Sequence, residues 1–382
     1  MKLKIKKLLF VAVSIFISVL AIELGLQIIS FVINFNSITT IDHRIELSPY
    51  QNKKWAEQLF REQKEMKLEY YPYSGWRAIP HKDYSVFYRI DSEFKNRTNV
   101  NNYNQSELNV KHIWVFGGSS VWGVYQRTEK TIPSLLSELS YQAGKKYFVE
   151  NMGQLGFSYS QNIIDLIQQL KLGKRPDFVV FYIGANNILG SYSDRKSDTV
   201  PLVKEFNDAI SLRRSNYFNQ LFETTKLFII ENSKIYKSID ILASSFGENK
   251  DEIKLNVGDK IQLEREMHDV FKYNTDFVVN LSRIYGFDFQ IILQPILFFK
   301  NPKSIEESDL KFDPSCSDSV LEDFSKKSYE QIKSLKLSNL SDFSDSLDQF
   351  QGTAFVDLVH ISEEANELIA KQIFELIDKK VK

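Results

Sequence analysis

Two hydrophobic periods alternate along the chain from Lys111 onward. Continuous or alternating apolar runs, the pattern of β-strands, are separated by stretches with apolar residues every three to four positions, the pattern of helices. "HIWVFG" (112–117) reads as a buried strand. "TIPSLLSELS" (131–140) reads as a helix, with Thr131 near its cap and Pro133 in its first turn. "KYFVENMG" is a second strand, and "SQNIIDLIQQLKLG" a helix that stops at Gly173. "DFVVFYIGANN" is a third strand, almost unbroken in its apolar character, as in a parallel sheet covered on both faces. A long helix is expected from Ile261 to Tyr285, with Met267, Phe271, Asn274, Val278 and Leu281 on one face and Gly286 as its stop. "FDFQIILQPILFF" is a fourth strand and "DSVLEDFSKKSYEQIKSL" a further helix. The last helix is capped by Ser362, with Glu363 and Glu364 in its positive first turn.

This alternation predicts an α/β fold of three layers, α/β/α, with a mainly parallel sheet over residues 111–382. An amphipathic insertion interrupts it at about 190–258. Residues 37–110 are polar and rich in aromatics. The piece "YYPYSGWRAIPHKDYSVFYRIDSEF" implies a few short strands in a membrane-proximal segment.

Residues 1–36 have a different pattern. Lys2, Lys4, Lys6 and Lys7 precede "LLFVAVSIFISVLAIELGLQIISFVINF", longer than the roughly 20 apolar residues that span a bilayer. The expectation is one N-terminal transmembrane helix over about Leu8 to Ile33, an uncleaved signal anchor. The lysines place the N-terminus in the cytoplasm and the rest outside, periplasmic or at the cell surface. Glu23 and Gln27 lie one helical turn apart inside the span. They call either for a partner membrane protein or for a hydrated place near the outer interface.

Composition narrows the chemistry. The 382 residues carry a net charge of −1, which gives no support for a nucleic-acid partner. Cys316 is the only cysteine, so no intrachain disulfide and no multi-cysteine metal site can form. No metal-ligand constellation and no phosphate-binding loop of the Gly-x-x-x-x-Gly-Lys kind is visible, so neither metal nor cofactor is expected.

In parallel sheets, ligands bind at the carboxyl ends of the strands. The unusual polar and glycine pieces fall there: "GGSS", "NMGQLG" and "GANN", with "DLVH" before the last helix. Ser119, after Gly117 and Gly118, is either part of a tight turn or a nucleophile held clear of the backbone. A nucleophilic serine needs a base and donors for the oxyanion formed on attack. Of the five histidines, His360 alone lies in a loop entering a helix, and Asp357 precedes it by three residues. A carboxylate so placed can orient an imidazole. Gln294 is either a polar contact for substrate or a turn residue before Pro295. Trp122 is either core or pocket lining, and Asn187 is a further candidate for substrate binding.

"FGGSS", "NMGQLG", "GANN" and "DLVH" stand in the order of the four sequence blocks of the SGNH (GDSL-type) hydrolases, and the chain resembles that family over about 110–190 and 350–382. The resemblance implies an SGNH, flavodoxin-like sheet with Ser119 as nucleophile, His360 as base and Asp357 as its orienting acid. It implies an oxyanion hole of the Ser119 amide, the amide of a block-two glycine (Gly156 first, Gly153 second) and the side chain of Asn186. Gly118 and Asn187 depart from the family pattern, each standing where aspartate is usual. The implied activity is a serine esterase or O-acyltransferase acting through an acyl-serine on acetyl or similar esters of cell-surface glycans. Two alternatives stay open: a membrane-surface lipase or thioesterase with the insertion as a lid, and a catalytically dead glycan-binding or assembly protein.

Overall fold

An apolar run with no polar interruption has no face to give to water, and Phe178–Ile183 is the middle strand of a five-stranded parallel sheet, buried at every position. The computed structural model describes residues 42–79, 86–91, 95–200, 203–233, 257–310 and 319–381, with residues 10, 13, 14, 17–19 and 21–28 of the N-terminal segment. His81 and Cys316 lie outside these. Two compact units divide the chain: Asp42–Pro201 with Leu255–Lys382, and Met1–Ile41 with Leu202–Lys254.

The larger unit begins with helix α1 (Ala56–Glu65) and an antiparallel hairpin of β1 (Leu68–Tyr71) and β2 (Gly75–Ala78). The sheet follows as β3 (Lys111–Gly117), β4 (Tyr147–Asn151), β5 (Phe178–Ile183), β6 (Asp288–Leu293) and β7 (Leu340–Asp342), in the order β4-β3-β5-β6-β7. Register aligns the carboxyl ends: Gly117 lies beside Tyr182, and Ile183 beside Leu293. Helices α2 (Ile132–Gln142), α3 (Tyr159–Lys171) and α4 (Ala185–Asp194) come from the first half of this unit. Helices α5 (Val203–Arg214) and α6 (Tyr217–Asn232) belong to the other unit. α7 (Val257–Tyr285), α8 (Ser319–Ser334) and α9 (Glu363–Lys380) follow in the larger unit. α2 and α9 pack together on one face of the sheet. α7 packs with α3, α4 and α8 on the other, which gives the three layers.

Local chemistry sets several boundaries. Ser158 and Gln161 form a reciprocal capping box at the start of α3, and the left-handed Gly173 follows its end. Ser362 accepts the Ala365 N–H at the start of α9. β4 is an edge strand whose outer backbone groups are claimed by side chains. Asn101 donates to Val149 O and accepts from Val149 N, at 2.8 and 2.9 Å, and Asn99 donates to the same carbonyl at 2.9 Å.

Four expectations need correction. The third strand stops at Ile183, and Ala185–Asp194 is helical; Gly184, at φ 122°, makes the break, and the Tyr329 hydroxyl fills the space of its missing side chain. The fourth strand stops at Leu293, because Pro295 cannot continue a ladder. No domain boundary falls at 110/111. The short strands expected before it are there, but so is α1, and Tyr50, Leu59, Phe60 and Tyr88 share a core with Trp122, Tyr125 and Val356. The insertion divides differently from 190–258, since α4 runs to Asp194 in the larger unit and the segment grouped with the N-terminus starts at Leu202.

In the smaller unit, Glu23 accepts hydrogen bonds from Gln27 at 3.0 Å and from the Ser233 hydroxyl at 2.9 Å. Among the described residues no helix is long and apolar enough to cross a membrane, and the span expected over 8–33 lies partly outside them.

Candidate active site

Two glycines end β3 because two side chains would not fit. Neither Gly117 nor Gly118 is left-handed, so conformational freedom is not the reason. A Cβ on Gly117 would strike Val121 and the Tyr182 carbonyl of the neighbouring strand. One on Gly118 would strike the Asn186 side-chain amide. The chain then makes one helical turn, Ser119–Trp122, which the left-handed Gly123 closes by donating to Ser119 O at 2.8 Å. Ser119 is thereby lifted at the carboxyl edge of the sheet.

Residues 354–361 form the opposite wall. Phe355 and Ile361 pair as an antiparallel bridge, and Val356 donates to His360 O at 2.9 Å. Buried Glu307 accepts from the amides of both Ala354 and Phe355 at 2.9 Å, with Lys300 beside it at 3.6 Å. Gln126, next after Tyr125, donates to Ile361 O at 3.2 Å and ties this loop to the segment after the Ser119 turn.

Across this gap a continuous relay forms. His360 Nε2 lies 2.7 Å from Ser119 Oγ, and His360 Nδ1 lies 2.7 Å from Asp357 Oδ2. Asp357 Oδ1 accepts the Val359 and His360 amides at 2.9 and 2.8 Å. Burial alone would raise the Asp357 carboxyl. The charge and hydrogen bonds of His360, with those two amides, outweigh it and hold the group below its ordinary value. A hydroxyl, an imidazole and an ionised carboxylate in this order can pass a proton from oxygen to nitrogen and stabilise the cation formed.

The donors are also legible in the geometry. Gly153 N–H is already taken by Asn151 Oδ1 at 3.0 Å, and a side chain at Gly153 would collide with the backbone of Trp122. Among the described residues the amides of Ser119 and Gly156 donate to no protein acceptor. Asn186 gives one side-chain N–H to Phe157 O at 3.0 Å and keeps the other, while its amide lies against Gly118. Three N–H groups therefore remain available, one from the Ser119 turn, one from the loop between β4 and α3, and one from the start of α4.

Three other candidates have partners within the fold. Trp122 is fully buried and stacks on Tyr88 with ring centroids 5.1 Å apart, so it lines no pocket mouth. Asn187 accepts the Tyr159 amide at 3.2 Å, at the first turn of α3. Gln294 is buried beside Ser120 Oγ at 3.4 Å, and its carbonyl accepts the Tyr329 hydroxyl at 2.7 Å. No group of three or more His, Cys, Asp or Glu side chains suited to a metal ion occurs among the described residues.

Two residues carry no signal in the sequence. Arg44 Nη1 stands 3.5 Å from Asp357 Oδ2, and Arg97 is buried under the Ser119 turn with hydrogen bonds to the carbonyls of Phe87, Trp122, Gly123 and Gln126. Contacts across such sequence separations leave no local pattern.

A family model for GDSL-like lipase/acylhydrolases matches residues 113–373. No curated protein matches the chain. Among solved structures, the acetyl xylan esterase AlAXEase is similar at 12% identity, over 70% of this chain and 99% of that one, with a TM-score of 0.38. Axe2, an acetylxylan esterase from Geobacillus stearothermophilus, is similar at 12% identity over 70% and 94%, with a TM-score of 0.36. The lipase/acylhydrolase from Enterococcus faecalis gives 15% identity over 72% and 98%, with a TM-score of 0.35.

Proposed function

Since this chain belongs to the GDSL-like lipase/acylhydrolase family and is a serine ester hydrolase, we propose that Ser119, His360 and Asp357 are its catalytic triad and that it removes or transfers small acyl groups on cell-surface glycans. The observation that supports this is the unbroken Ser119–His360–Asp357 chain of 2.7 Å contacts.

In the first step His360 Nε2 takes the Ser119 proton as Oγ attacks the acyl carbon. The carbonyl electrons move to the oxygen, which receives the Ser119 and Gly156 amides and the free N–H of Asn186. Collapse of this intermediate expels the alcohol, which takes the proton from His360. Acyl-Ser119 remains. Water or a sugar hydroxyl then attacks the acyl carbon with His360 as base, and Ser119 recovers its proton. Hydrolase and acyltransferase differ only in which hydroxyl arrives second. Asp357 keeps one imidazole tautomer and steadies its charged form throughout.

The glycan reading and the extracytoplasmic location rest on the basic and apolar N-terminal pattern, which would tether the enzyme at an envelope surface. A second reading, action on lipid or thioester acyl chains, draws on exposed Tyr217, Phe218 and Phe222 of α6 in the smaller unit. One experiment tests both. The full chain is assayed with p-nitrophenyl esters from acetate to palmitate and labelled with a fluorophosphonate, beside Ser119→Ala. Turnover that falls steeply as the acyl chain lengthens, with labelling lost in S119A, is expected. A preference for palmitate moves the assignment to lipids. Folded protein with neither turnover nor labelling overturns the triad.

A further inference from the structure

We infer that Arg44 is a positioning residue for the relay, holding the Asp357 carboxylate against His360 from the segment that precedes the sheet. The inference rests on the triad reading above.

The lone pairs of Asp357 are almost all assigned. Oδ1 takes two amides and Oδ2 takes the imidazole; the remaining side of Oδ2 faces Arg44 Nη1 at 3.5 Å. That distance is long for a directed hydrogen bond, so the contact acts through charge. The guanidinium cannot wander. Asp42 grips it from both oxygens, Nε to Oδ1 at 2.8 Å and Nη2 to Oδ2 at 2.6 Å, and also accepts the Arg44 amide at 3.0 Å. Its flat face lies 4.1 Å over the Tyr125 ring, and that ring stands edge-on to His360 with centroids 5.3 Å apart. Tyr125 is fixed in turn by Tyr50, whose hydroxyl donates to its carbonyl at 3.1 Å. Arg44 and Asp357 side chains are only 20% and 25% exposed, so water weakens the contact in part.

Among the described residues, the other charged or titratable groups around this cluster are Asp42, His43, Tyr125, Tyr50, Tyr88 and Glu363, and Glu363 is taken up by Arg127. Burial keeps Tyr125 protonated, pushing its hydroxyl up to about 12. Arg44 is the cation that meets both Asp42 and Asp357, at 2.6 and 3.5 Å. Without it the Asp357 carboxylate that faces the imidazole would lose a compensating positive charge. The imidazolium would be favoured, and neutral imidazole, the form that accepts the Ser119 proton, would be populated only at higher pH.

The test measures kcat/KM for p-nitrophenyl acetate against pH, using the full chain, for wild type, Arg44→Gln and Arg44→Lys. Fluorophosphonate labelling is followed in parallel. R44Q is expected to lose about tenfold in kcat with KM changed by less than twofold, and to move the acid limb up by about half a pH unit. R44K keeps the charge and is expected to hold the acid limb at its wild-type position. In an Asp357→Asn background, R44Q is expected to cost nothing further, because the group it acts through is gone. The inference is overturned if R44Q keeps the wild-type limb and rate. It is overturned equally if both variants lose rate with the limb unmoved, or if the R44Q and D357N losses multiply. Wild type that is neither labelled nor active would instead sink the triad reading, so the two failures are distinct.

Discussion

Around β5 the interior consists of Phe178, Val180 and Phe181 with Ile113, Val115 and Ile291 from the strands on either side, apolar at every one of these positions. Under the Ser119 turn the interior consists of Tyr50, Phe60, Tyr88, Trp122 and Tyr125, and it admits the whole of Arg97. That arginine lies 4.5 Å over Tyr88 and 5.1 Å over Trp122, and its hydrogen bonds go to backbone carbonyls. Burial pulls its guanidinium down to about 10, still charged at neutral pH. The first region asks only for apolar side chains of suitable volume. The second asks for particular donors at particular carbonyls, and so fixes a geometry. A change in the sheet should therefore cost stability alone, and a change in the aromatic shell both stability and activity.

Arg97→Met is expected to break this contrast most severely. It strands buried carbonyls at the end of the Ser119 turn, at a cost of about 4 kcal/mol. Denaturant unfolding reads that loss, and kcat of the remaining folded protein should fall about tenfold. Arg97→Lys should not rescue it, since an ammonium cannot span the same carbonyls. Phe181→Ala is the counterpart in the sheet. It should cost about 3 kcal/mol by the same measurement and leave kcat/KM per folded molecule unchanged. A loss of specific activity there would erase the distinction.

The hairpin β1–β2 meets α3 through the buried pair Arg77–Asp165, which tests the comparison by pH. Burial lifts the Asp165 carboxyl to about 6 despite Arg77. The native state then holds this proton more tightly than the unfolded chain, whose carboxyl keeps its ordinary value. The group therefore costs stability as pH rises from about 4 to about 6. Asp165→Asn removes the dependence, so its stability relative to wild type should climb by on the order of 3 kcal/mol across that interval. A flat difference in unfolding free energy from pH 4 to 7 would mean that the pair stays ionised throughout. Asn101→Ala should cost least, about 1 kcal/mol in thermal unfolding. It unclothes the β4 edge, so light scattering of the heated protein should rise with it.

The same contrast explains what could be read in advance. β3, β4, β5, β6 and helices α2, α3, α7, α8 and α9 announce themselves because each carries its own period and its own stop. β7 is three residues long, too short for a period, and α1 has only Ala56, Leu59 and Phe60 to mark its buried face. At the site, Ser119, Asp357 and His360 stand out because glycines and a fixed spacing flag them. For Trp122, Asn187 and Gln294 the sequence leaves alternatives open, because proximity along the chain says nothing of which way a side chain turns. Arg44 and Arg97 were invisible: each meets its partners through folding, Arg44 across more than three hundred positions.

The relay is assembled from opposite ends of the larger unit. Ser119 follows the first strand of the sheet, while its imidazole and carboxylate arrive just before α9, which docks on α2. A ribosome therefore releases the hydroxyl long before anything can activate it. A polypeptide cut short ahead of residue 357 holds the Ser119 hydroxyl without the imidazole that meets it at 2.7 Å or the carboxylate behind that imidazole.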